Sequence, residues 1–128
     1  MNEVDIVAIR RLNQQFYEAF EAQNFDVMSD LWHHSDRVTC THPGWTVLRG
    51  WGAIAASWVA LFQGPQHIQF ILTDEHVEIV GDVAWVTVDE NIIGSETGAT
   101  VSALNIFERI DGLWRVVAHH GAPVANRQ

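Results

Sequence analysis

The chain contains no lysine. Its seven cationic side chains are all arginines, and they face 16 aspartates and glutamates, so the formal net charge is −9. Without lysine there is no Schiff-base chemistry and no phosphate-binding loop of the P-loop type. An acidic chain without a basic cluster is also a poor nucleic-acid binder, because contacts to phosphate supply much of that affinity. We therefore expect no nucleic acid among the partners.

Cysteine and long apolar runs are scarce as well. Cys40 is the single cysteine, which excludes an intramolecular disulfide and suits a reducing compartment. No apolar run approaches the roughly 20 residues of a membrane span. The N-terminus, Met1–Asp5, lacks the positive and apolar regions of a signal peptide. We expect a cytoplasmic protein that makes no contact with membranes.

Apolar residues, tryptophan and histidine are abundant. Of the 128 residues 48% are apolar and 18% are charged, a globular composition, and we expect residues 1–128 to form a single domain. The chain has six tryptophans and seven histidines. Tryptophan is common in cores, pockets and interfaces, and histidine titrates near neutral pH.

Hydrophobic periodicity predicts the elements. Repeats of three and four residues predict helices at 4–22, 25–32 and 51–62. Residues 45–50 are expected to form a loop. Alternation predicts strands at 37–42, 67–80, 83–94, 99–110 and 113–120. Their breaks are Gly81-Asp82, Gly94 through Gly98, and Asp111-Gly112, a pair suited to a tight hairpin turn. The segregated order predicts an α+β fold, in which three helices cover a curved, mostly antiparallel sheet and leave a cone-shaped pocket.

Three segments resemble the nuclear transport factor 2-like (NTF2-like) superfamily and, within it, the SnoaL-like (polyketide cyclase-like) proteins. These segments are Phe16–Asp26, Val38–Trp45 with Arg49-Gly50 opening a helix, and Trp114–Pro123. The resemblance covers nearly the whole chain and implies the cone-shaped fold. The superfamily holds isomerases, cyclases, dehydratases, epoxide hydrolases and non-catalytic binding or assembly domains, so the fold alone does not choose a function.

Within the superfamily, a resemblance to ketosteroid isomerase implies catalytic positions. His42, before Pro43 at the end of the first strand, stands at the position of the general base, and Asn105 at an oxyanion-binding position. Phe16 stands where the isomerase has its tyrosine. The residue types suit these roles, because neutral histidine accepts protons and an amide donates to an oxyanion. A purely structural role remains the alternative for both residues. His42 would then hydrogen-bond a loop carbonyl, and Asn105 would be a core amide hydrogen-bonded across strands.

Two consecutive histidines close the last predicted strand. His119 and His120 should face opposite sides of the sheet. His120 shares its alternation with Val116 and Ala118, the face that the resemblance would turn into the pocket. The resemblance therefore implies that His120 lies in the pocket as an auxiliary acid or orienting group, with His119 facing outward. A metal on His42 and His120 would need a third ligand, and no metal-binding spacing is present, so we expect neither metal nor cofactor.

The remaining candidates would surround a substrate. Trp45 follows Pro43-Gly44 in a loop and would gate the pocket mouth. Alternation sends Glu90 to one face and Asp89 with Asn91 to the other, and it leaves open which face points inward. Burial there would raise a carboxyl pKa, and the alternative is that these carboxylates are exposed at the mouth of the cone. The expected substrate-binding set is Phe16, Trp45, Trp58, Trp85, Glu90, Val116 and Ala118. For the aromatic members, packing alone is the competing interpretation.

Two functions follow from this set. The first is a cofactor-independent enzyme (isomerase, cyclase, dehydratase or hydrolase) acting on an apolar, ring-bearing small molecule. His42 would be its base, Asn105 its donor and His120 its auxiliary group. The second is a non-catalytic ligand-binding or association domain. Both predict a homodimer through the sheet, because strands 83–93 and 99–107 carry apolar residues on both faces.

Overall fold

A computed structural model describes residues 2–65, 67–93 and 98–125. Within these ranges, three helices lie in the N-terminal half: α1 (Asn2–Ala22), α2 (Phe25–Leu31) and α3 (Trp51–Phe62). The described residues also form six strands: β1 (Thr39–Thr41), β2 (Leu48–Arg49), β3 (Gln69–Val80), β4 (Val83–Ile93), β5 (Ala99–Ile110) and β6 (Leu113–Pro123). The predicted elements are therefore present, with strand ends shifted by a few residues.

The residues that precede α2 and α3 favour the start of a helix. The Asn24 side chain accepts a hydrogen bond from the backbone N–H of Val27, which caps α2. Gly50 precedes α3 with a φ of 86°, a conformation that favours glycine. The expectation that residues 45–50 form a loop is wrong in part, because Leu48–Arg49 forms the short strand β2 and pairs with β1.

The strands form one sheet in the order β2-β1-β6-β5-β4-β3. β1 runs parallel to β6, and the other neighbouring pairs are antiparallel. At the β5–β6 turn, Asp111 and Gly112 have φ values of 52° and 82°, as a tight hairpin requires. Of the predicted break from Gly94 through Gly98, residues 94–97 lie outside the described residues.

One face of the sheet is packed against the helices, and we call it the inner face. Phe16 of α1 and Trp58 of α3 are fully buried there, together with Val86 of β4 and Val116 of β6. Removing such side chains from water is the main favourable contribution to folding. The predicted α+β class, with three helices packed on a mostly antiparallel sheet, is confirmed.

A bulge in β6 reverses the predicted orientation of the two consecutive histidines. Phe107 pairs with Val116 and Ile106 with Ala118, so Val117 is an extra residue. An extra residue shifts the alternation of every later side chain to the opposite face. His119 and Gly121 therefore face inward, and the prediction that His120 enters the pocket is wrong.

The opposite, outer face of the sheet carries a row of apolar side chains across three strands. Trp85 pairs with Ile106, and Ile106 pairs with Ala118. The next row contains Leu104 and His120. Because paired residues share a face, the expectation that Trp85 and Ala118 line the pocket is wrong.

No helix within the described ranges has the length and apolar character needed to cross a membrane.

Candidate functional site

A small cavity lies on the inner face, between α1, α3, the end of β1 and the strands β3, β4 and β6. Its volume is about 130 Å³. Three of its lining residues are ionisable: His42, Glu90 and His119. The other lining residues are apolar: Phe20, Pro43, Trp45, Leu61, Ile68, Phe70 and Ile92. The cavity therefore combines apolar walls with groups that can accept or donate protons.

Glu90 is the buried carboxyl of this site. Glu90 lies on the inner face of β4 with Val86 and Val88, whereas Asp89 lies on the outer face. Of these two carboxylates, Glu90 is therefore the one that points inward. The Tyr17 hydroxyl donates a hydrogen bond of 2.5 Å to Glu90 Oε2. Burial raises the pKa of the Glu90 carboxyl to about 7, and the Tyr17 hydrogen bond opposes that rise. A carboxyl with a pKa near neutrality can serve as acid or base.

Tyr17 was missed by the sequence reasoning. The resemblance placed the family's tyrosine at Phe16, a buried core residue, but the next residue supplies a hydroxyl to the network. Asn13, Tyr17 and Phe20 lie four and three residues apart, on one face of α1. Polar residues at that spacing on an otherwise apolar face were the available signal.

Asn105 on β5 is the centre of a buried hydrogen-bond network. Its Nδ2 donates to Asn13 Oδ1 at 2.9 Å and to the Tyr17 hydroxyl at 3.2 Å. Its Oδ1 lies 2.5 Å from His119 Nδ1. Both N–H groups of this fully buried amide are used within the protein. In this structure Asn105 therefore orients its neighbours, whereas the oxyanion role implied by the resemblance needs a free N–H.

His119 has one defined tautomer in this arrangement. Because Asn105 Oδ1 is an acceptor, the His119 Nδ1 must carry the proton that it donates there. Burial lowers the pKa of His119 to about 3, helped by the charges of His42 and His120, so the ring is neutral at pH 7. Its Nε2 then bears a lone pair and has no hydrogen-bond partner among the described residues. His119 thus brings a proton acceptor to the cavity wall.

His42 lies beside His119, with 6.4 Å between the ring centroids. Ser57 donates its hydroxyl proton to the Ile54 carbonyl at 2.6 Å, so its oxygen accepts from His42 Nε2 at 2.8 Å. Burial lowers the pKa of His42 to about 4. The Trp45 ring, 44% exposed, packs edge-on against this imidazole at 4.8 Å. His42 and Trp45 both line the cavity.

The other predicted residues lie away from the cavity wall. Trp58 and Val116 are core residues of the inner face, and Trp58 packs against His42. His120 Nε2 lies 3.0 Å from Thr39 Oγ1 on the outer face. In the described part of the chain, no three histidine, cysteine, aspartate or glutamate side chains are grouped as a metal site would require.

Comparison with known proteins agrees with this architecture. Residues 9–126 match the family model of the SnoaL-like domain. A proposed dehydratase of the NTF2-like family from Streptomyces avermitilis is 37% identical, with a TM-score of 0.90 over 98% of this chain and 100% of that one. A proposed calcium/calmodulin-dependent protein kinase type II association domain from Thiobacillus denitrificans is 33% identical, with a TM-score of 0.81 over 89% of this chain and 93% of that one.

A curated relative is longer than this chain. F-box protein SKIP8 of Arabidopsis thaliana is 29% identical over 115 residues, which are 90% of this chain and 49% of that protein. The chain therefore spans about half the length of that relative. The fold, together with an apolar cavity lined by three ionisable side chains, defines an NTF2-like domain of the kind that binds ligands or carries an active site. The chain belongs to the SnoaL-like family.

Proposed function

We propose that this chain is a cofactor-independent enzyme that moves protons on a small, neutral, ring-bearing carbonyl compound bound in the cavity. One observation carries this proposal. Glu90, with a pKa of about 7, and His119, with a free Nε2 lone pair, line the same apolar cavity. The pKa of Glu90 suits general acid catalysis at neutral pH, and His119, a weak base because its pKa is about 3, takes up a proton in concert with donation by Glu90.

The walls of the cavity support this substrate class. No arginine is among its described lining residues, so an anionic group would find no counter-charge. A cavity of about 130 Å³ is close to the roughly 150 Å³ that accepts a benzene ring in an engineered protein core. The aromatic side chains of Phe20, Trp45 and Phe70 offer apolar contact to such a ring.

The proposed reaction begins with enol formation. His119 Nε2 removes the proton from the carbon next to the carbonyl, while protonated Glu90 gives its proton to the carbonyl oxygen. When a carbon–carbon double bond lies between the β- and γ-carbons, return of the His119 proton to the γ-carbon moves that double bond into conjugation with the carbonyl, and the enol proton goes back to Glu90. When a hydroxyl lies on the β-carbon, it leaves with the His119 proton as water, and the enol proton again returns to Glu90. Both residues are regenerated in either case.

Hydrogen exchange into ketones tests this proposal without knowledge of the natural substrate. In D₂O, the protein should accelerate deuterium uptake next to the carbonyl of cyclohexanone and related cyclic ketones and β-hydroxy ketones, followed by NMR. Glu90→Gln removes the acid while nearly keeping its shape, so it should slow the exchange about 100-fold or more.

Asp89→Asn is the matched control, since Asp89 is the neighbouring residue on the outer face of the same strand. This variant should exchange ketone protons at the wild-type rate. No acceleration by the wild type across the ketone panel would overturn the proposal. Equal rates for the Glu90 and Asp89 variants would overturn the role of Glu90.

We also propose that two copies of the chain associate through the outer face of the sheet. The apolar row of Trp85, Ile106 and Ala118 supports this, because Trp85 and Ile106 are only half-buried within one chain and a partner would cover them. The 33% identity to a proposed association domain points the same way. Association without catalysis is the second candidate function.

Sedimentation equilibrium at micromolar concentration tests the dimer. We expect a particle of twice the chain mass of 14.4 kDa for the wild type. Leu104→Asp places a carboxylate beside the apolar row and should give monomers. Val4→Asp, at a position of α1 that is 78% exposed, should remain dimeric. A monomeric wild type would contradict the proposal.

A further inference from the structure

We propose that Glu75 is a positioning residue that determines, through Asn13 and Asn105, which ring nitrogen of His119 carries the proton. Glu75 lies on β3, at the irregularity between Thr73 and His76. Its side chain is 30% exposed and does not line the cavity. This inference rests on the proposed function, because it explains how the base of that mechanism keeps its lone pair on the cavity side.

The chain of hydrogen bonds runs in one direction only. Glu75 Oε2 accepts from Asn13 Nδ2 at 3.0 Å, because an ionised carboxylate has no proton to donate. The Asn13 oxygen must then face Asn105, where it accepts from Nδ2 at 2.9 Å. The Asn105 oxygen must in turn face His119 and accept from Nδ1. The orientation of each amide side chain therefore fixes which atom the next group must present to it.

Glu90 sets the same orientation from the other side. Tyr17 donates its proton to Glu90, so its oxygen accepts from Asn105 Nδ2. In the proposed reaction, however, Glu90 gains and loses a proton, and a protonated carboxyl can donate to Tyr17 instead. Glu75 takes no part in the reaction. It therefore holds the His119 tautomer while the protonation of Glu90 changes.

Glu90→Gln isolates the contribution of Glu75, because a glutamine side chain can either accept from Tyr17 or donate to it. Nuclear magnetic resonance of the ¹⁵N-labelled His119 ring identifies the tautomer without any substrate. In the Glu90→Gln protein, we expect His119 to keep its proton on Nδ1, as in the wild type. Adding Glu75→Lys replaces an acceptor by a donor, so both amides should turn over. The Nε2-protonated form should then become the majority tautomer.

A compensating change separates orientation from a structural effect of the lysine. Asn13→Asp, added to the Glu75→Lys protein, accepts from both Lys and Asn105 Nδ2 and should restore the Nδ1-protonated form. Glu78→Lys is the control, because Glu78 is an exposed glutamate on the same strand. It should leave the tautomer unchanged.

Two results would overturn the inference: an unchanged tautomer in the Glu75→Lys protein, or no reversal on adding Asn13→Asp. If the lysine variant does not fold, Glu75→Gln in the same background keeps the shape of the side chain. A mixture of both tautomers is expected there, and a single Nδ1-protonated form would count against the inference. These spectra do not depend on turnover. Failure here therefore leaves the ketone exchange test of the proposed function intact.

Discussion

A chain in which Asn105 is replaced by alanine should unfold with a free energy about 3–5 kcal/mol below that of the wild type. The change removes three hydrogen bonds, to Asn13, Tyr17 and His119. Those three side chains are themselves buried, so Asn13 Oδ1 and His119 Nδ1 are each left without a partner, while Tyr17 keeps its hydrogen bond to Glu90. Such a group costs about 1–3 kcal/mol, and neighbouring losses are not fully additive.

Asn91 on β4 is a matched control for this experiment. It also makes three hydrogen bonds, to the Ile71 carbonyl, Thr73 and Thr100, but on the outer face near the end of the strand. Water can replace them, so Asn91→Ala should cost no more than about 1 kcal/mol. Urea unfolding of both variants gives the comparison. Equal decreases in the free energy of unfolding for the two variants would mean that burial does not make the Asn105 hydrogen bonds more important for stability.

Glu90→Gln should make the protein about 3 kcal/mol more stable than the wild type at pH 8 and should lose this advantage below about pH 4. The Glu90 pKa is about 7 in the folded state, against an ordinary value of 4.5. Between these values the folded chain holds a proton that the unfolded chain has released. The contribution of Glu90 to stability therefore falls as the pH rises, by about 1.4 kcal/mol per pH unit.

The contributions of the two buried histidines to stability have the opposite pH dependence. They cancel when the Glu90→Gln protein is compared with the wild type. Folded pKa values of about 4 for His42 and about 3 for His119 lie below the ordinary 6.5, so their contributions decline as the pH falls below 6.5. Both remain in the variant and cancel in the difference. Asn91→Ala changes no ionisable group, so its difference from the wild type should stay constant with pH. A Glu90→Gln protein less stable than the wild type at pH 8 would contradict the burial of this carboxyl.

Much of the fold could be predicted because hydrophobic periodicity is a local property. The helix at 51–62 and the strand at 99–110 were predicted with the bounds that the structure has. In β4, the inward residues Ala84, Val86 and Val88 alternate without interruption. The expectation of a pocket reached by His42 and Trp45 came from the resemblance and from the Pro43-Gly44 break.

The orientation of the last strand could not be predicted in the same way. Val116, Val117 and Ala118 are three consecutive apolar residues, so their sequence is compatible with either alternation. Only pairing with β5 shows that Val117 is the extra residue. That single residue exchanges His119 for His120 in the cavity wall and brings the imidazole to Asn105.

By itself, the sequence determined the order of helices and strands, the buried faces of most of them, and the acidic, lysine-free character of the surface. The tertiary structure decided which polar groups meet. Asn13 and Glu75 are 62 residues apart in the chain, and Tyr17 and Glu90 are 73 apart. The physical reason is that burial patterns repeat within one element, whereas a hydrogen bond between elements depends on their register and packing.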